Sequence, residues 1–150
     1  MEVFRITAER NSKDLSASGI ASRWNFDSEF VLYSSGSRSL ATLELVVNRK
    51  NIHPGVLYTV MIISIPDEED IINQIKTKDL PENWRTIDGF TQLQEIGSEW
   101  YKKSEALILK VSSAVIPQEF NYVINTSHKE FKKKIKLVRV EEYFWDKRLL

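Results

Sequence analysis

The longest apolar run of the chain, residues 56–65, is bracketed by Pro54-Gly55 on one side and Pro66 on the other. It is rich in Val, Ile, Leu and Met and is interrupted only by Tyr58, Thr59 and Ser64. A membrane-spanning helix needs roughly 20 apolar residues, about twice this length. A short apolar stretch that is rich in β-branched residues and bounded by turn formers reads instead as a buried strand. The chain is therefore expected to fold around a sheet with residues 56–65 as its central strand.

Glu2–Ala8 alternates weakly and reads as another strand, followed by a polar loop through Ser18 and Gly19. Residues 29–35 contain Phe30-Val31-Leu32-Tyr33 and predict a strand. From Ser37 the period changes. Leu40, Leu43, Val46 and Val47 recur at helical spacing, which predicts a helix to about Lys50 with Ser37 or Ser35 as its cap. Residues 68–75 read as a short helix with acidic residues complementing the dipole of its first turn. Phe90, Leu93, Ile96, Gly97, Trp100 and Tyr101 mark a second amphipathic helix, and 105–111, 120–126 and 135–143 read as strands. Strands and helices mix without regular βαβ alternation, so the fold class expected is α+β, a mixed sheet with flanking helices. No linker or repeat divides residues 1–150, which points to a single domain.

The chain carries 21 basic and 21 acidic residues. This balance argues against a non-specific nucleic-acid binder, which needs a basic excess. Lys132-Lys133-Lys134 and Lys136 read as a solvated segment offset by Glu141-Glu142, so no direct nucleic-acid contact is expected. There is no cysteine, which excludes disulfides, thiolate-bound zinc and a thiol nucleophile. The N-terminal residues lack the layout of a secretory signal, and a soluble cytoplasmic protein with no membrane association is expected. Only His53 and His128 are present, with no signal for a Ser-His-acid triad or a metal site. The five glycines form no phosphate-binding loop.

Four stretches, taken in order, carry a resemblance. They are Ser22-Arg23-Trp24-Asn25, Val31-Leu32-Tyr33-Ser34-Ser35 and Ser39-Leu40-Ala41-Thr42-Leu43-Glu44, then Val111 to Pro117 followed by Asn121-Tyr122-Val123-Ile124-Asn125 and His128. Arg23, Tyr33 and Glu44 lie ten and eleven residues apart. Leu80-Pro81, Trp84-Arg85 and Ile96-Gly97 with Trp100 fill the middle region. Together these resemble the RES-domain family of bacterial toxin–antitoxin systems over nearly the whole chain. Two positions depart from its pattern: Ser112 and Thr126 stand where the family has proline.

The resemblance implies an ADP-ribosyltransferase-like fold and an enzyme that depletes NAD by hydrolysis or phosphorolysis. NAD would be the substrate, with water or inorganic phosphate as acceptor and no metal or other cofactor. It also implies a cognate Xre-like antitoxin that covers the active site. Arg23 would clamp the pyrophosphate through paired, charge-assisted bonds. Tyr33 would cover nicotinamide or ribose with its ring. Glu44 projects from an otherwise apolar helix stripe, where an unpaired carboxylate is costly. It would orient the ribose and stabilise the positive charge developing during C–N cleavage. Ser113 would bond the nicotinamide amide or a ribose hydroxyl, with Asn121 and Asn125 completing the NAD site. Trp24 and Trp84 would wall the pocket. Residue types alone leave ordinary alternatives open: a solvated Arg23, a packed Tyr33, a salt-bridged Glu44, and turn-stabilising roles for Asn121, Asn125 and His128. Two other functions also remain open, ADP-ribosylation of a macromolecule and a non-catalytic interaction module.

Overall fold

The computed structural model describes residues 1–48, 50 and 52–149. Among them, seven strands form one mixed sheet: β1 (Glu2–Ala8), β2 (Val31–Ser35), β3 (Tyr58–Ser64), β4 (Ile72–Gln74), β5 (Ile108–Ser112), β6 (Phe120–Asn125) and β7 (Lys136–Glu142). Their spatial order is β4-β5-β6-β2-β1-β3-β7, antiparallel throughout except for the parallel pair β4–β5. Helices α1 (Arg38–Val47), α2 (Phe90–Lys103) and the single turn α3 (Phe131–Lys134) accompany it. This is the mixed-sheet α+β class the sequence predicts. Among the described residues no helix is long and apolar enough to cross a membrane.

The apolar run forms β3, buried from Tyr58 to Ile63 between β1 and β7. It is shorter than expected because the chain at Leu57 is still exposed, at 71%. β2 begins at Val31 rather than residue 29, because Ser28 takes a left-handed φ of 68° and the Glu29 side chain turns back to accept from the Phe26 amide. Ser37 caps α1, its hydroxyl accepting from the Leu40 amide at 3.1 Å. The helix stops at Val47, short of Lys50, and Arg49 lies outside the described residues. α2 ends where Ser104 adopts φ 52°, with Lys102 and Lys103 complementing the dipole of its last turn.

The helix expected at 68–75 is absent. A three-residue turn, Glu69–Ile71, leads into β4, which pairs in parallel with β5. Tertiary burial decided this segment. Ile71 packs into the core, and the Ile75 amide bonds the Lys110 carbonyl, so the isoleucines extend the sheet edge rather than form a helix face.

Alternation along the strands sorts the core onto two faces. Val3, Leu32, Met61, Ile63, Ile108 and Ile124 share one cluster with Ile71, Leu107 and Ile135. Val31, Leu109, Val111 and Val123 point the other way, against Leu93 and Trp100 of α2 and against Trp24 and Trp84. Phe4 is registered with Ser35, so it lies on the same face as Tyr33, and Arg38 of α1 stacks on its ring at 4.6 Å. Both long helices therefore cover one face, and they leave a cleft between them.

The segment that walls this cleft is a tight turn, residues 22–25, closed by the Ser22 amide bonding the Asn25 carbonyl at 3.1 Å. It lies directly on α2. A Cβ built on Gly97 would stand 1.7 Å from the Trp24 carbonyl oxygen, and Gln94 donates to the Ser22 and Asn25 carbonyls. Leu93→Ala, at a fully buried site, should lower unfolding free energy by about 2–5 kcal/mol in a denaturant titration. Val138→Ala, at a site 46% exposed, should stay within about 0.5 kcal/mol. Gly97→Ala should also destabilise, by about 1–3 kcal/mol, and shift the fluorescence of buried Trp24. Wild-type stability and an unchanged spectrum would show that the turn does not need this contact.

Candidate active site

The cleft has a volume of about 300 Å³, within the usual range for small-molecule sites. Its floor is the seam between β1 and β2. These strands are registered at a single pair, Phe4 with Ser35, and part beyond it. The walls are α1 on one side and, on the other, the 22–25 turn with Phe90 at the start of α2.

Glu44 projects from α1 into the cleft, half-buried. One of its oxygens, Oε1, accepts from the Ser113 hydroxyl at 2.7 Å and from the Asn121 side-chain amide at 2.6 Å. Among the described residues its second oxygen has no partner. Asn121 is itself held by the Ser35 hydroxyl, which donates to its Oδ1 at 2.7 Å. Ser113 is fully buried, and its oxygen accepts from the Val115 and Ile116 amides at 3.0 and 3.1 Å while its proton goes to Glu44. Its bonding capacity is thus consumed in aiming the carboxylate. The two departures from proline leave this arrangement intact. Ser112 pairs with Phe120 in the sheet, and Thr126 uses the N–H a proline would lack to bond the Phe30 carbonyl at 3.1 Å.

Arg23 stands on the opposite wall. Its guanidinium donates to the Trp84 carbonyl at 3.0 Å and stacks on Phe90 at 4.5 Å. Burial lowers its pKa, while the charge of Glu44 raises it. The Tyr33 ring lines the cleft, and its hydroxyl donates to Asn25 Oδ1 at 2.7 Å and accepts from the Trp24 amide at 2.9 Å. Burial pushes this phenol well above its ordinary range, against the smaller opposing effects of the Trp24 amide, the Ser22 hydroxyl and Arg23. Tyr33 is therefore a neutral hydroxyl at physiological pH.

The cleft thus gathers Arg23, Tyr33, Glu44 and Asn121, with Ser113 behind Glu44 and Trp24 in the turn. Trp84 contributes its carbonyl to Arg23. Asn125 stands elsewhere, at the far end of β6, accepting from the Ser127 amide at 2.9 Å and fully buried. His128 accepts from the Glu130 amide at 3.1 Å. Of the lysine run, Lys134 pairs with Glu68, away from the cleft.

Arg5 is the residue that sequence reasoning missed. It lies on β1, half-buried, with Nη1 3.0 Å from the Tyr33 carbonyl, and it lines the cleft as a second cation. Among the described residues no carboxylate pairs with it, and burial lowers its pKa. Arg5 shares the parity of Val3, on the sheet face away from the long helices, and its guanidinium reaches the cleft at the parted seam of β1 and β2, a placement that alternation along β1 does not foretell.

Comparison with known proteins agrees with this geometry. The family model of the RES domain matches residues 2–146. The chain is 34% identical over 128 residues to a protein of Photorhabdus laumondii named Toxin Res, covering 85% of this chain and 81% of that one. It is 30% identical over 141 residues to a Sphingobium protein named Prs ADP-ribosylating toxin, covering 91% and 87%. Its fold is similar to a chain in the crystal structure of the M. tuberculosis MbcT–MbcA toxin–antitoxin complex, with TM-score 0.73, 13% identity and coverage of 95% and 83%. With the family model spanning the cleft and nearly every element that builds it, the chain belongs to the RES domain family.

Proposed function

We propose that this protein is the toxin of a toxin–antitoxin pair and that it depletes NAD by cleaving the nicotinamide–ribose bond. The observation that carries the reading is the half-engaged Glu44: one oxygen is pinned by Ser113 and Asn121, the other has no partner among the described residues, in a cleft shared with Arg5 and Arg23. The names of the Photorhabdus and Sphingobium relatives support it. In this reading the two arginines hold the pyrophosphate, and the ring of Tyr33 covers nicotinamide or its ribose. The C–N bond breaks with its electron pair leaving on nicotinamide, which departs neutral. The free oxygen of Glu44 holds a ribose hydroxyl and stabilises the oxocarbenium-like charge as it develops. Water or inorganic phosphate then adds at the same carbon, and water gives up its proton in doing so. Ser113 and Asn121 serve by fixing Glu44. A cognate Xre-like antitoxin covers the mouth of the cleft and keeps the enzyme silent in the cytoplasm. Because one relative is named an ADP-ribosylating toxin, transfer of ADP-ribose to a macromolecule is the second reading.

Purified antitoxin-free protein, given NAD with and without phosphate, should release nicotinamide, and chromatography of the co-product identifies the acceptor. Glu44→Gln keeps an oxygen for Ser113 and Asn121 but removes the charge, so kcat should fall on the order of 10²–10³-fold. Arg23→Ala should act mainly on KM. Ser113→Ala should lower kcat by about tenfold, since Glu44 keeps only one of its two donors. Intact NAD with folded wild-type protein would overturn NAD cleavage, and labelled macromolecules in a lysate would favour the transfer reading.

A further inference from the structure

Asn25 carries no charge, does not line the cleft and is 1% exposed, yet its side chain is the most heavily bonded near the site. Its Nδ2 donates to the carbonyls of Ile20 and Phe26 at 3.0 Å and of Glu29 at 3.2 Å. Its Oδ1 accepts the Tyr33 proton at 2.7 Å, and the same Tyr33 oxygen accepts from the Trp24 amide at 2.9 Å. A closed ring of bonds therefore runs from the Asn25 side chain to the phenol, back to the main chain at Trp24, and on through one peptide link to Asn25. Arg23 immediately precedes that ring, in the turn closed by Ser22 and Asn25. The Tyr33 hydroxyl has its proton and an acceptor position taken up by the turn.

We infer that Asn25 is a positioning residue for Arg23, acting through the Tyr33 hydroxyl, and that this hydroxyl serves the turn rather than the ligand. The inference rests on the reading of this cleft as one that holds an anionic ligand through Arg23. The physical basis is the contrast between a guanidinium and an ammonium. A planar fork makes two parallel bonds to an anion only if its backbone origin is held within a fraction of an ångström. A lysine ammonium is a point charge on a flexible stem and tolerates displacement of its backbone. Loosening the brace should therefore harm an arginine at position 23 and leave a lysine there nearly unaffected.

A double-mutant cycle reads this, with inorganic pyrophosphate as the ligand and calorimetry as the measure. Tyr33→Phe keeps the ring and removes only the hydroxyl. With Arg23 present it should weaken pyrophosphate binding by about tenfold, and in the Arg23→Lys background by less than about twofold. Asn25→Ala should show the same coupling, with thermal melts confirming the fold. If that variant does not fold, the Tyr33→Phe cycle decides alone. Equal losses in both backgrounds would overturn the inference, since the hydroxyl would then be contacting the ligand or supporting the fold at large. No loss in folded Tyr33→Phe protein would overturn it as well, and so would wild-type protein that fails to bind pyrophosphate. Pyrophosphate binding with no NAD turnover would defeat the cleavage mechanism while leaving the cycle readable. With NAD as substrate, the same variants should raise KM by more than they lower kcat.

Discussion

The contact between the 22–25 turn and α2 is made backbone against helix, at the one glycine of α2. A Cβ at Gly97 would overlap the Trp24 carbonyl, so the turn can sit at this depth only because residue 97 has no side chain. The rest of that wall follows from the depth. Gln94 reaches the carbonyls of the turn, and Ser98 donates to Glu29 at 2.6 Å. Glu29 is a buried carboxylate whose partners are the Phe26 amide and the Ser98 hydroxyl rather than a cation. One bond closes the loop on itself at Phe26 and the other fastens it to α2 at Ser98. A buried network of this kind is stable only while every member is satisfied, which makes the wall rigid as a unit.

The opposite wall is built on different terms. α1 brings Glu44 over the sheet, and Ser113 just after β5 and Asn121 in β6 aim it, so its position depends on residues 69 and 77 positions further along the chain. Between the walls, β1 and β2 meet at one registered pair and then separate. The separation frees the Tyr33 carbonyl from a ladder bond with β1, and the Arg5 guanidinium takes it. A fully zipped sheet would have used that carbonyl and left no route for a cation at the floor. The cleft and its second arginine therefore share one cause, an incomplete strand pair at the centre of the sheet.

Most of this architecture was legible in the sequence. Period-two alternation located β1 and β7, the apolar run bounded by Pro54-Gly55 and Pro66 located β3, and the three- and four-residue spacing of Leu40, Leu43, Val46 and Val47 located α1. The motif order placed Arg23, Tyr33 and Glu44 in one site, and the cleft does gather them. Residues 68–75 were misread because acidic residues before a run of isoleucines fit a helix start as well as a strand edge. What settles the matter is the neighbouring β5, which local sequence does not contain. Asn125 and Asn121 look alike in sequence, four residues apart on one strand, yet the strand carries them to opposite ends. Arg5 sits alone between Phe4 and Ile6, and strand parity points it away from the helices; only the parted β1–β2 seam, which local sequence does not contain, brings it to the cleft.

A polar residue's presence at a site does not say whether its bonding groups remain available. Ser113 has one proton and two acceptor positions, and the protein uses all three. The Tyr33 hydroxyl is likewise engaged on both its donor and acceptor sides. Among the described residues, what the cleft leaves open is the second oxygen of Glu44, the remaining N–H groups of two guanidiniums, and one N–H of Asn121. That inventory is many cationic donors and a single anionic acceptor. It matches a ligand with anionic oxygens toward the arginines, and hydroxyls or developing positive charge toward Glu44. The half-buried setting strengthens each of those interactions relative to water. The complementarity is to a molecule whose charge is divided along its length: Glu44 on one wall, Arg23 on the other and Arg5 at the floor form no ion pair with one another among the described residues, so that division is not neutralised within the protein itself.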